Sequence, residues 1–66
     1  MQIILNGDTR DVPDNLSAAQ LIDTLGLADK RLAIEVNEEI IPRGTLDACL
    51  LQPGDQVEIV HAIGGG

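Results

Sequence analysis

Sixty-six residues with a formal charge of −7, 44% apolar residues and no Phe, Trp or Tyr describe one small acidic domain built on an aliphatic core. Without aromatic side chains there is nothing for a base to stack on, and the four cations Arg10, Lys30, Arg31 and Arg43 are too few to neutralise a phosphate backbone, which excludes nucleic acid as a partner. The negative charge instead favours association with a protein of basic surface.

No apolar run approaches membrane length, and the first residues lack the basic, apolar and small-residue order of a signal peptide. The expected location is the cytoplasm, with no membrane partner. The single cysteine, Cys49, has no second cysteine to bridge to, and with His61 the only histidine there is no metal set. Cys49 reads as a small buried or half-buried apolar residue, with a reactive thiol as the alternative.

In chain order, residues 2–5 alternate, with Ile3 and Leu5 on one face and Gln2 and Ile4 on the other. Asn6-Gly7 is a tight-turn signal, and residues 9–12 form the expected returning strand, stopped by Pro13 and Asp14. Ser17 and Gln20 have the spacing of a capping box, flanked by the staple pair Leu16 and Leu21. Ala18, Leu21, Ile22 and Leu25 then share a helical face, which predicts a helix over 18–25. Gly26 stands where a left-handed cap is wanted, with Leu27 placed to fold back on Ile22.

Residues 32–36 alternate strictly, with Leu32, Ile34 and Val36 inward, and Asn37-Glu38-Glu39 turns the chain into a short edge strand at 40–41, ended by Pro42. Residues 43–52 have no clean period, and Leu46, Leu50 and Leu51 are expected to anchor a helical turn or loop over the core. Pro53-Gly54-Asp55 has the order of a type II turn. A last strand over 56–63 then points Val57 and Ile59 inward and Glu58, Val60 and Ala62 outward. The order β-β-α-β-β-β is α+β, a mixed sheet with one main helix on one face. A β-grasp sheet, with the first and last strands adjacent at its centre, meets those demands over residues 1–63, leaving 64–66 as a flexible tail.

The ending Val60-His61-Ala62-Ile63-Gly64-Gly65-Gly66 passes from a strand into three glycines and a carboxylate. Glycines without Cβ atoms enter a channel too narrow for side chains, and three extended residues reach about 10 Å. Gly64, Gly65 and Gly66 therefore suit threading into a partner's active site. His61 has no Ser, Cys or Asp at a catalytic spacing and reads as a solvated or partner-contacting residue, so no catalytic residue is assigned. Ile4, Val60 and Ala62, outward on strands expected to be neighbours, form a candidate docking face beside the tail.

Over its whole length the chain resembles the ThiS family, the β-grasp sulfur carriers of bacterial thiamine biosynthesis. The resemblance is carried by Met1-Gln2-Ile3 opening into a strand, Val36-Asn37 followed by Ile41-Pro42-Arg43, Pro53-Gly54-Asp55-Gln56-Val57-Glu58-Ile59-Val60, and the glycine ending, which has one glycine more than the family's minimum. It implies a carrier, not an enzyme, whose Gly66 carboxylate is adenylated and converted to a thiocarboxylate. The implied partners are a ubiquitin-activating-like adenylyltransferase of the ThiF type, which uses ATP and magnesium, a persulfide donor such as a cysteine desulfurase, and a thiazole synthase of the ThiG type. No cofactor is expected on the chain itself. A molybdopterin-type carrier and a ubiquitin-like modifier use the same tail chemistry. The size, with Val36-Asn37, Ile41-Pro42-Arg43 and the segment from Gly54 to Val60, favours the thiazole pathway over these.

Overall fold

A computed structural model describes residues 1–61. Its elements in chain order are β1 (Gln2–Leu5), β2 (Asp8–Asp11), α1 (Ala18–Thr24), β3 (Leu32–Val36), β4 (Glu39–Ile40), a 3-10 helix (Arg43–Ala48) and β5 (Gln56–His61). The five strands form one sheet in the order β2-β1-β5-β3-β4. β5 is parallel to β1 and antiparallel to β3, which is the β-grasp arrangement with first and last strands side by side at the centre.

The first hairpin follows from Asn6 and Gly7, whose φ angles of +48° and +87° are the left-handed pair a two-residue type I′ turn requires. That turn pairs Leu5 with Asp8, so β2 begins directly after Gly7 and runs over Asp8–Asp11, one residue earlier than the sequence pattern suggests. Val12 still extends the hairpin by donating its amide to the Met1 carbonyl at 2.8 Å. All four residues of β2 are exposed, as expected of a solvated edge strand. The second hairpin uses the same geometry, with Asn37 and Glu38 at φ +51° and +71°. It pairs Val36 with Glu39, and β4 therefore also starts one residue before the predicted 40–41.

At the helix, the Gln20 amide donates to Ser17 Oγ at 3.0 Å and the Ser17 amide to Gln20 Oε1 at 2.9 Å. This is the reciprocal capping box, and it satisfies two donors that the first turn leaves free. At the other end Leu27 donates to the Ile22 carbonyl and Gly26 to the Asp23 carbonyl, both at 3.0 Å, with Gly26 at φ +74°. These two bonds make a Schellman motif, which stops the helix at Thr24 with Leu25 as its cap.

The core is one aliphatic cluster in which Ile3, Leu21, Ile34, Leu51 and Val57 are almost fully enclosed. Each such side chain contributes about 1.5–3 kcal/mol on leaving water. α1 and the 3-10 helix lie against each other, and α1 buries Ala18, Leu21 and Ile22 in the core; among the described residues no helix lies on the opposite sheet face. Leu46 packs on this cluster and Leu51 enters it, but Leu50 is 54% exposed, which corrects its predicted role as an anchor. Ala18 donates to the Cys49 carbonyl and Leu51 to the Leu16 carbonyl, both at 2.8 Å, so residues 49–51 run extended beside 16–18. Alternation then turns Leu51 in and Leu50 out.

Candidate functional site

The candidate site is the far end of β5 with the open sheet face beside it. Gln52, Pro53, Gly54 and Asp55 make the turn that launches this strand, with Gly54 at φ +83° and the Asp55 amide donating to the Gln52 carbonyl at 3.1 Å. This is the type II geometry that the proline and glycine predict. Asp55 then accepts from Asn37 Nδ2 at 3.0 Å and from the Gln52 amide at 2.8 Å, while the Gln56 amide donates to Asn37 Oδ1 at 3.0 Å. The β3–β4 turn and the root of β5 are thereby locked together.

Along β5 the predicted parity holds: Val57 and Ile59 are buried, while Glu58 is exposed and Val60 is 57% exposed. Ile4 is half-buried and on the same outer face, but it stands opposite Gln56, whereas Val60 stands opposite Ala33. Four residues of strand, about 13 Å, separate the Gln56 and Val60 positions. The two residues thus share a face without being neighbours. Ala62, Gly64, Gly65 and Gly66 lie outside the described residues.

Between Ile4 and Val60 the face is acidic. Glu35 stands opposite Glu58, and these two residues with Ile4, Glu38 and Gln56 line a depression of about 390 Å³. Like charges directly across a pair of strands repel, so the face is electrostatically unfavourable when nothing lies on it. Ile40, 70% exposed, pairs with Glu35 and belongs to the same face. The sequence reading did not single it out, although its position opposite the outward Glu35 follows once the hairpin turn is known to have two residues.

Among the described residues the one ion pair joins the Met1 amino group to Asp14 at 3.1 Å, so no side-chain cation meets a carboxylate there. Burial, and secondarily the Asp55 carboxylate, pushes the half-buried Cys49 thiol above its usual range. The thiol is therefore held in its unreactive protonated form. The described residues contain no group of three His, Cys, Asp or Glu able to hold a metal ion, and no helix long and apolar enough to cross a membrane.

One residue of the site was read only as a turn former. Asn6 accepts the Ile59 amide on its side-chain Oδ1 at 2.9 Å, standing in for the backbone carbonyl that β1 no longer supplies. A strand-end asparagine in a tight turn is common enough that its local sequence carries no such signal.

The ThiS family model matches residues 3–66 of this sequence. The chain belongs to the ThiS family. Among its relatives, the Escherichia coli sulfur carrier protein ThiS is 27% identical with both chains covered in full. A thiazole synthase of Magnetococcus marinus is 41% identical over all 66 residues. The chain spans about a fifth of the length of that protein, and the same share of a second thiazole synthase it matches. Among solved structures, the crystal structure of a thiamine biosynthesis protein (ThiS) from Geobacter metallireducens superposes with a TM-score of 0.87 at 30% identity, each chain covered in full. This likeness agrees with the fold read from the strands.

Proposed function

We propose that this chain is a sulfur carrier of thiamine biosynthesis and that the group which carries the sulfur is the carboxyl of Gly66. The observation that supports this most directly is the family match, which runs through the three glycines to residue 66. The relative named as a sulfur carrier, aligned over its full length, points the same way. The chain is then a co-substrate, and what its own residues do is hold the tail on a rigid central strand and present it.

A carboxylate is a poor electrophile, so exchange of oxygen for sulfur needs activation. In the proposed sequence a Gly66 oxygen attacks the α-phosphorus of ATP on a ubiquitin-activating-like adenylyltransferase with magnesium, and pyrophosphate leaves. The terminal sulfur of a persulfide donor attacks the acyl carbon and AMP departs. A thiol then attacks the donor sulfur of that acyl disulfide, forming a donor disulfide and releasing the thiocarboxylate. A thiazole synthase takes this sulfur, a partner supported by the two relatives of that name that contain a segment similar to this chain.

The test is incubation with the adenylyltransferase of the same organism, ATP, magnesium and a persulfide donor, followed by intact mass. The expected product carries sulfur in place of one oxygen at the C-terminus. A chain with one alanine added after Gly66 should remain folded and unmodified, because the reactive group has moved. Equal modification of both chains would refute the terminal-carboxylate mechanism. Gly65→Val should also fail, since a β-branched side chain obstructs threading and restricts the backbone.

A further inference from the structure

β5 is a central strand for only part of its length. Its odd-numbered residues turn their backbone groups toward β1: the Asp55 carbonyl accepts from Ile4 and the Val57 carbonyl from Asn6, both at 2.9 Å, and the Ile59 amide donates to the Asn6 side chain. Its even-numbered residues turn toward β3. The Asn37 amide donates to the Gln56 carbonyl at 2.7 Å, which makes Glu58 with Glu35 and Val60 with Ala33 the next hydrogen-bonded pairs. By the same alternation, the Ile59 carbonyl and the amide and carbonyl of His61 face the β1 side. There β1 has already turned away at Asn6 and Gly7. Among the described residues, the pairing of β1 with β5 stops at Leu5 and Val57.

Asn6 is therefore the last rung of the β1 ladder, and past it lies an open edge at residues 59–61. The edge is short, but no proline, lysine or bulge lies between Ile59 and His61 to block a pairing strand. We propose that the edge receives an extended backbone segment of the protein that takes the sulfur, adding one strand beside residues 59–61 where β1 ends. This rests on the sulfur-carrier reading above. The occupant is assigned to the thiazole synthase because two proteins of that name contain a segment similar to this chain in the same polypeptide, which puts the two bodies within reach of each other. The carboxylates Glu35 and Glu58 on the adjoining face favour basic side chains around that segment.

Such pairing uses up to three hydrogen bonds, one from the His61 amide and two into the carbonyls of Ile59 and His61. It also sets the depth of the tail, because a slip of one residue in register moves the terminal carboxyl by about 3.3 Å, enough to spoil the alignment of reacting atoms.

Amide hydrogen exchange on the ¹⁵N-labelled chain, alone and saturated with the thiazole synthase of the same organism, tests the proposal. The His61 amide should exchange fast in the free chain and slow at least about ten-fold in the complex, whereas the Val60 amide, already bonded to β3, should be slow in both. A chemically synthesised chain with N-methyl-His61 should bind the synthase at least about ten-fold more weakly at an unchanged melting temperature. If the His61 amide exchanges equally fast in a complex that still takes sulfur from the Gly66 thiocarboxylate, edge pairing is refuted and the carrier reading stands. If the thiocarboxylate forms but the synthase neither binds nor accepts its sulfur, both the edge pairing and the thiazole assignment fail.

Discussion

Asn6 has two separable jobs, and two substitutions tell them apart. Its φ of +48° fits the type I′ turn, and its Oδ1 holds the Ile59 amide at 2.9 Å. Asn6→Gly keeps the turn but leaves that amide without its partner, which removes a bond of about 0.5–1.5 kcal/mol and adds part of the penalty for an unsatisfied donor. The expected loss is about 1–2 kcal/mol. Asn6→Ala loses the same bond and also forces a Cβ into the left-handed region, a further cost of about 1 kcal/mol. In a domain this small, whose whole stability is about 3–10 kcal/mol, each 1 kcal/mol lowers the melting temperature by about 4–8 °C. Thermal and urea unfolding followed by circular dichroism measure both, since no aromatic fluorophore is available. If Asn6→Gly melts with the native chain, the side-chain rung contributes nothing. If the two variants melt together, the backbone argument is wrong.

Ile59→Ala, which empties an almost fully buried site, should destabilise by about 2–5 kcal/mol. Val60→Asp, on the outer face, should leave the melting temperature nearly unchanged and weaken binding to the adenylyltransferase in calorimetry; the reverse pattern would place the strand register one residue off. Glu58→Lys replaces the repulsion with Glu35 by an attractive cross-strand pair and should raise stability by about 0.2–1 kcal/mol, while weakening association with a basic partner; a lower melting temperature would refute the cross-strand reading. The raised pKa of Cys49 means that the unfolded chain loses its thiol proton first as pH rises. The thiol's contribution to stability is therefore present below the unfolded pKa and lost as pH climbs through the higher folded one. Iodoacetamide at pH about 9 should accordingly modify folded chain more slowly than urea-unfolded chain, and equal rates would contradict the burial.

The parts of this fold that the sequence reveals are those whose hydrogen bonds close within a few residues. Ser17 and Gln20 bond each other three positions apart, and Gly26 and Leu27 bond back to Asp23 and Ile22, so both helix ends are readable from residue types alone. The starts of β2 and β4 were displaced because Asn6-Gly7 and Asn37-Glu38 form two-residue turns, and spacing in the sequence does not distinguish these from three-residue ones. Leu50 faces water because of its bridge to Ser17 on a distant segment, a contact with no local pattern. The same holds at the site. The glycine ending and the outward parity of Val60 are visible in the chain, whereas the separation of Ile4 from Val60 depends on the parallel register of β1 against β5, fixed by the Ile4 amide reaching the Asp55 carbonyl.

Two of the segments that carry the family resemblance act on the position of β5. Asn37, from Val36-Asn37, bonds Asp55 and the amide of Gln56, and Pro53-Gly54-Asp55 forms the turn that feeds β5. Together they fix where the strand starts between β1 and β3. The Asn6 side chain fixes it again at Ile59. Held at both points, β5 has little freedom to slide or swing against its neighbours. Under the proposed function, with Gly66 as the reactive end, that restraint matters because glycine is the residue whose side chain constrains its backbone least. A strand fixed before binding leaves less conformational entropy to be overcome when a partner engages it.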